Sequence, residues 1–376
     1  MRRIATLLAL SAGLLGLTTV LAVPVALAKR DANTKDAKLE NIRVTGGKAK
    51  ATGEGEEALG LTVDPKLQAE VDRILDASKA PSGAVVVSDI KTGRVLAWAS
   101  RGNEGDMVRK AKYPGASLFK IVTTTALLEG KKVRLGDTVC FQGGESRLTA
   151  DEVRPGCHKG DQKTTFEFAL GRSINPVFGR LATKHLDADT LGSTAKAFGI
   201  GSEPPLDLPA DKTSIKLPTD DGLGFARAAA GFGEAKMSPL QALFMMQTIA
   251  NGGEKIRIHV TGNAADVPRV SVGRAFSKDT ADKLVKMLEV TTRSGTSAKA
   301  FAPIEGRPHL SVAGKTGTLA IEKPNKRLVS WFAGFAPSRK PEVAVAVLLA
   351  NDEKWWRKGN EVARDVLDAY FATKSD

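Results

Sequence analysis

The chain has 376 residues, 42% of them hydrophobic, enough to bury the core of one large domain or two ordinary ones. Its formal net charge of +13 suits anionic polymers or membrane surfaces, but aromatics make up only 5% and no basic stretch is interleaved with stacking rings, which argues against nucleic acid as a partner. The histidines (His158, His185, His259, His309) are scattered and only His158 lies near a cysteine, so neither a metal nor another cofactor is expected. At the N-terminus, Arg2 and Arg3 precede an apolar run from Ile4 to Val23, then Pro24 and Ala26-Leu27-Ala28. Residues 1–28 therefore read as a signal peptide or, because the run is nearly long enough to span a bilayer, as a membrane anchor. The chain is expected to be exported and periplasmic or otherwise extracytoplasmic, either cut after the Ala-Leu-Ala site or held in the inner membrane by residues 4–23. Residues 29–59, rich in Lys, Asp, Glu, Gly and Ala, read as a flexible linker with a short hairpin in IRVTGGKAKATG. Residues 60–376 form the main domain.

That domain opens with LTVDPKLQAEVDRILDAS, in which Asp64 is placed to cap a helix and Pro65 suits its first position. Leu67, Val71, Ile74 and Leu75 form its apolar face. Two strand-like runs follow, GAVVVS from Gly83 and RVLAWAS from Arg94, joined as a hairpin by DIKTG. From Tyr113 to Thr292 the signals are mostly helical. Ser238 and Pro239 start a helix that Asn251 and Gly252 stop, and Ser277 starts another. Strands return in LSVAGKTGTLA, RLVSWFAGFAP and EVAVAVLLA, before a last amphipathic helix, NEVARDVLDAYF. Strands at both ends with helices between them predict one sheet built from distant segments, with a helical region inserted. In an exported chain, Cys140 and Cys157 are candidates for a disulfide.

The segment YPGASLFKIVTTTALLEG places Ser117 at a helix start and Lys120 one turn later on the same face, among Leu118, Phe119, Ile121 and Val122. Ser-x-x-Lys is common by chance, and Ser193 with Lys196 spells it again. Order separates the two. Only Ser117 is followed by Ser173-x-Asn175 and then by Lys315-Thr316-Gly317-Thr318, a trio that marks serine acyl-transfer enzymes. A second Lys-Thr-Gly, Lys91 to Gly93, falls in the expected hairpin turn and reads as structural.

The chemistry needs these residue types. A serine hydroxyl attacks well only when a base removes its proton, and a lysine serves as base when burial or a neighbouring cation lowers its pKa. Lys120 fits that role, with Lys315 as the neighbouring cation. Ser173 is the candidate proton relay, and Asn175 the candidate holder of a substrate amide. Gly317 lets backbone approach the substrate. Thr318 N–H is expected to join Ser117 N–H as an oxyanion hole, and the Thr316 and Thr318 hydroxyls to bind a carboxylate with Lys315.

With LTVDPKLQ, GAVVVSDIKTGRVLAWAS, YPGASLFK, RSINPVF, SPLQALFMMQTIANGG, GKTGT and WFAGFAP, the chain from Leu61 onward resembles the transpeptidase domain of penicillin-binding proteins. The resemblance implies an α+β fold: a five-stranded antiparallel sheet flanked by terminal helices, a mainly helical subdomain inserted, and the active site in the cleft between them. It implies an acyl-enzyme on Ser117 formed from a D-Ala-D-Ala stem peptide of peptidoglycan and resolved by the amine of a neighbouring stem. β-Lactam antibiotics would acylate the same serine, and cell-wall synthesis proteins are the expected partners. Large family members carry another domain before this one. With only sixty residues ahead of Leu61, no polymerase activity is expected. The rival readings are a D,D-carboxypeptidase, with water as acceptor, and a serine β-lactamase, for which Glu203 in SEPPLDLP is the only tempting acid and reads as loop. A wall-binding scaffold is the non-enzyme reading, and its mark would be a lost motif residue.

Overall fold

The computed structural model describes residues 37–52, 58–219, 222–307, 309–322 and 326–374. The segment expected as signal peptide or anchor lies outside the described residues, and among these no helix is long and apolar enough to cross a membrane.

The short hairpin expected in the segment ahead of the main domain is present. Strands β1 (Lys38–Thr45) and β2 (Lys48–Thr52) form an antiparallel hairpin around Gly46 and Gly47, and β3 (Ala58–Gly60) pairs with β2. The segment is polar in composition, yet Ala37, Leu39, Ala49 and Ala51 are all buried. Small side chains alternating along a strand bury one face while adding little to the hydropathy of the segment. Leu61 N–H donates to Ala49 O, and Arg109 donates to Ala37 O at 3.0 Å, which fastens this small sheet to the main domain.

Helix α1 (Pro65–Ala77) starts at Asp64, whose carboxylate accepts from the N–H groups of Lys66 and Leu67. Strands β4 (Ser82–Asp89) and β5 (Val95–Arg101) form the predicted hairpin, with Gly93 at φ +77° in its turn. Short strand β6 (Tyr113–Pro114) leads through a 3₁₀ turn, Ala116–Phe119, into α2 (Lys120–Glu129). Strands β7 (Thr138–Phe141) and β8 (Gln162–Thr165) flank a loop closed by the Cys140–Cys157 disulfide. The helical region continues with α3 (Phe166–Arg172), α4 (Asn175–His185), α5 (Ala188–Ala197) and α6 (Gly222–Arg227). Strand β9 (Lys236–Met237) pairs with β6. Ser238 and Ser277 cap α7 (Pro239–Ala250) and α8 (Lys278–Arg293), with β10 (Glu254–Ile256) and β11 (Ser271–Arg274) paired between them. The meander β12 (Ala313–Ile321), β13 (Arg327–Ala336), β14 (Val343–Asn351) and helix α9 (Gly359–Thr373) complete the chain.

The five-stranded sheet has the order β12-β13-β14-β4-β5 and is antiparallel throughout. Alternation sorts its side chains into two cores. Val85, Val87, Val345, Val347 and Leu349 pack with α1 and α9, whereas Ala84, Val86, Ala346, Leu348 and Trp331 pack with α7, α8 and the helical region. Both faces of the sheet are thus covered, which is why all nine residues of β14 are buried and the first eight, Val343 to Ala350, read as a continuous apolar run. Strand β12 is one edge, packed against α8 and the 3₁₀ turn. The helical region inserted between β5 and β12 is what places the cleft at that edge.

The loop between Cys140 and Cys157 matters to the cleft because it supplies Glu145 and Ser146. Buried Arg180 of α4 also holds it, donating to Cys140 O at 2.9 Å and Glu152 O at 2.7 Å. Replacing both cysteines by serine is expected to lower unfolding stability by about 3 kcal/mol on loop-closure grounds, measured by the denaturant midpoint. No measurable loss would mean that the loop's noncovalent contacts, Arg180 among them, are enough to define it.

Candidate active site

Ser117 sits in a turn held from three sides. Trp331 Nε1 donates to Pro114 O at 2.9 Å, Gly115 N–H donates to Ala235 O at 2.9 Å, and β6 pairs with β9. Ala116 takes φ +47°, a left-handed conformation rare for alanine and tolerated where surrounding contacts over-determine it. The 3₁₀ turn runs straight into α2, so Ser117 and Lys120 stand one turn apart.

Lys120 is fully buried. Its Nζ lies 2.9 Å from Ser117 Oγ, donates to Asn175 Oδ1 at 2.6 Å, and donates to Ala230 O. Asn175 Oδ1 and Ala230 O can only accept. A neutral amine has two N–H bonds and one lone pair. Spending both N–H bonds on those acceptors leaves the lone pair for the Ser117 hydroxyl. Burial first, and the Lys315 charge second, hold Lys120 well below the ordinary lysine pKa of 10.5. Lys315, also fully buried, is brought down to about 7 by burial. Its Nζ donates to Ser173 Oγ at 2.9 Å and Thr316 O at 3.1 Å.

Ser173 closes α3 with φ +61° and ψ +37°, and Asn175 opens α4. The left-handed residue turns the chain sharply between the two helices, so the motif serves two lysines: Ser173 meets Lys315 and Asn175 meets Lys120. Asn175 Nδ2 donates to Ser146 O at 2.6 Å. The expected substrate-amide contact therefore has to use the remaining amide hydrogen. Gly317 also has a second task. An added Cβ there would lie 3.0 Å from Gly115 O and 3.2 Å from Trp331 Cβ, so its smallness lets β12 approach the nucleophile turn. Thr316 Oγ1 is 2.6 Å from Thr296 Oγ1.

Ser117, Ser173, Asn175, Thr316 and Thr318 line one cleft of about 510 Å³ between the helical region and β12. A cavity of about 610 Å³ beside the disulfide is larger but gathers none of the three motifs. Residues 83–369 match the penicillin-binding protein transpeptidase domain. The chain belongs to that family. It is similar to stage V sporulation protein D of Bacillus subtilis, at 27% identity over 82% of this chain and 52% of that protein. It is also similar to the peptidoglycan D,D-transpeptidase PbpA of Mycobacterium tuberculosis, at 29% identity over 77% of this chain and 66% of that protein. Among solved structures, the D,D-transpeptidase domain of an Eggerthella lenta peptidoglycan glycosyltransferase superposes with a TM-score of 0.66 at 26% identity, covering 84% of this chain and 83% of that one. The imipenem acyl-enzyme of M. tuberculosis penicillin-binding protein A shares the fold, with a TM-score of 0.68 at 24% identity over 83% of this chain and 79% of that one. The chain spans about half to two-thirds of the length of these curated relatives.

The decoys fall elsewhere. Lys91 to Gly93 lie in the β4–β5 turn, where Asp89 accepts from Thr92 N–H. Ser193 and Lys196 lie on α5, and Glu203 is not among the described residues that line the cleft. Sequence reading missed Ala230, Ser146, Glu145, Arg172 and Thr296. Ala230 and Ser146 act through carbonyl oxygens, which leave no side-chain signature. Glu145 and Arg172 form an ion pair at 2.8 Å that joins the disulfide loop to α3 beside the cleft. The one available signal was the small-residue run Ala228–Gly231, whose backbone approaches Lys120.

The paired lysines predict a pH effect. Lys120 accepts a proton only when neutral, so acylation of Ser117 should rise with pH through the Lys120 pKa. Lys315→Gln removes one of the two causes that lower that pKa. The acid limb of its residual acylation should therefore move to higher pH, read from rate constants for a chromogenic β-lactam across pH. An unmoved limb would show that the two charges do not interact.

Proposed function

We propose that this chain is an exported serine D,D-transpeptidase that cross-links peptidoglycan stem peptides and is acylated by β-lactams. The observation that carries this reading is Lys120 Nζ, buried and fixed between Asn175 Oδ1 and Ala230 O, 2.9 Å from Ser117 Oγ. Lys120 takes the Ser117 proton as Oγ bonds to the carbonyl carbon of the penultimate D-Ala. The oxyanion that forms is stabilised by Ser117 N–H and Thr318 N–H. Ser173, hydrogen-bonded to Lys315, relays the proton that Lys120 took from Ser117 to the departing D-Ala amine as the peptide C–N bond breaks, which leaves Lys120 neutral again. Thr316, Thr318 and Lys315 bind the terminal carboxylate. The amine of a second stem then attacks the ester, gives up a proton to Lys120, and leaves Ser117 Oγ protonated again. The positive N-terminus and apolar run of residues 2–23 support export to the compartment that holds this substrate. Cell-wall synthesis proteins are the partners this reading implies.

The carboxylate inventory favours a slowly resolved ester over β-lactamase turnover. Among the described residues lining the cleft, Glu145 is the one carboxylate, and Arg172 holds it through Nε at 2.9 Å and Nη2 at 2.8 Å. Among the described residues lining the cleft, no free acid is placed to activate a deacylating water. The test is a time course with fluorescent penicillin, with the adduct mapped by peptide mass spectrometry. A long-lived adduct on Ser117 is expected. An adduct that fades within minutes while free drug is hydrolysed would make this a β-lactamase. Absence of any adduct on folded protein would overturn the catalytic reading. If D-Ala release from a stem peptide did not increase with added acceptor amine, the reaction would be carboxypeptidation.

A further inference from the structure

Beyond the motif residues, the cleft is lined by Ser330, Lys358 and Asn360, where α9 begins. This corner is built firmly. Ser330 faces Thr318 across the β12–β13 pair, and its Oγ accepts from Gly359 N–H at 2.9 Å. A Cβ on Gly359 would lie 3.0 Å from backbone atoms of both Trp331 and Phe332, so the first turn of α9 is pressed onto β13. Asn360 is 9% exposed, borders the cleft, and has no hydrogen-bond partner for its side-chain amide among the described residues. Most of the Asn360 residue is packed away, so its unpartnered amide is held in place with its hydrogen-bonding capacity open to the cleft. Beside it stands the exposed Lys358, which forms no ion pair among the described residues. The nearby Glu361 carboxylate is engaged by Lys358 N–H at 2.7 Å. The positive end of a 15-residue helix adds to the same field.

We propose that Lys358, Asn360 and the first turn of α9 form a second anion subsite that takes a free carboxylate of the donor stem, on the acyl side of the scissile bond. This rests on the transpeptidase reading and adds which stems the cleft prefers. Position along the edge strand supplies the direction. Lys315 and Thr316 take the terminal carboxylate and Thr318 the scissile carbonyl. A peptide laid along β12 then continues past Leu319 and Ser330 towards Lys358. Two cationic ends would thus bracket the reacting bond, one for each end of the bound segment. The ligand class is an acidic peptide ending in D-Ala-D-Ala, in preference to the same peptide with its inner carboxylate amidated.

The experiment uses two penicillins that differ only at the end of a flexible acyl side chain, a carboxylate in one and the matching carboxamide in the other. That side chain occupies the acyl side of the scissile carbonyl. The readout is the ratio of their second-order acylation constants at Ser117, which cancels any general effect of a variant on rate. Wild type is expected to favour the carboxylate by about fivefold, and less as salt rises. Lys358→Gln should bring the ratio to about one and Asn360→Ala should lower it partway. A wild-type ratio of one, or a preference that survives Lys358→Gln, would overturn the subsite while leaving the transpeptidase reading intact. Failure of both compounds to acylate folded protein would instead overturn the transpeptidase reading, and the subsite with it.

Discussion

Lys120→Ala should fold and yet acylate with β-lactams about 10³-fold more slowly than wild type, the scale of a lost general base. Folding survives because the substitution removes a group that is itself costly to bury: Lys120 is 0% exposed and its ammonium form is penalised by its surroundings. What remains is a small cavity and two acceptors, Asn175 Oδ1 and Ala230 O, that have lost their donor. Lys120→Met separates the causes, because it fills the space without supplying a base. If both variants acylate slowly and melt near wild type, the loss is chemical. If Lys120→Met acylates normally, Lys120 is not the base and the proton must leave Ser117 by another route. The pH profile is a second check. Wild-type rates should fall with falling pH as Lys120 gains a proton, whereas the residual rates of Lys120→Met should lack that limb.

The same burial has a consequence for stability. Lys315 has a folded pKa of about 7 against an ordinary 10.5, so between those values the unfolded chain holds a proton that the folded chain does not. Folded stability therefore rises with pH across that window and falls as pH drops through it, with little further change below about 7 from this group. The enzyme gives up some stability near neutral pH to keep two lysines side by side.

Much of the fold was legible because its signals are local. Asp64-Pro65, Ser238-Pro239 and Ser277 announce helix starts through cap chemistry that needs no tertiary context. The apolar run Val343 to Ala350 of β14 announces a strand covered on both faces. The three motifs were legible because their side chains carry the chemistry. The structure adds that Ser173 and Asn175 serve different lysines, a division that depends on the left-handed turn between α3 and α4. The hairpin read in IRVTGGKAKATG is present, but its packing onto the main domain was not legible, because the buried positions there are mostly alanine, and alanine in a charged segment adds little hydrophobic signal. The third anchor of Lys120 was invisible because any residue at position 230 offers the same carbonyl. Lys358 and Asn360 look like an ordinary helix start, and only the fold brings them to the cleft that Thr318 also lines.

Gly231 carries the other large prediction. It lies next to Ala230, whose carbonyl holds Lys120, and it packs on the turn that carries Ser117. Its φ is +94°, and an added Cβ would lie 2.3 Å from Ala116 O, 2.6 Å from Ala116 C and 3.1 Å from Ser117 N. The obstacle is backbone, so no rotamer change relieves it. Gly231→Ala must move either the Ala230 carbonyl or the nucleophile turn, and both are parts of the Ser117–Lys120 geometry. A displacement of about 1 Å at reacting groups costs on the order of 10²-fold in rate, so acylation should fall by about that factor, with a loss of roughly 2 kcal/mol in stability from strain and overlap. Gly201→Ala is the control. Its φ is +97° but nothing lies within 4 Å of the added Cβ. It should cost about 1 kcal/mol of stability for its backbone conformation alone and leave acylation at the wild-type rate. If Gly231→Ala loses stability like Gly201→Ala but acylates normally, the turn tolerates displacement and the precision argued for Ser117 and Lys120 is not required. If its acylation falls far more than its stability, with the control unaffected, the close approach of residue 231 to Ala116 is part of the catalytic geometry.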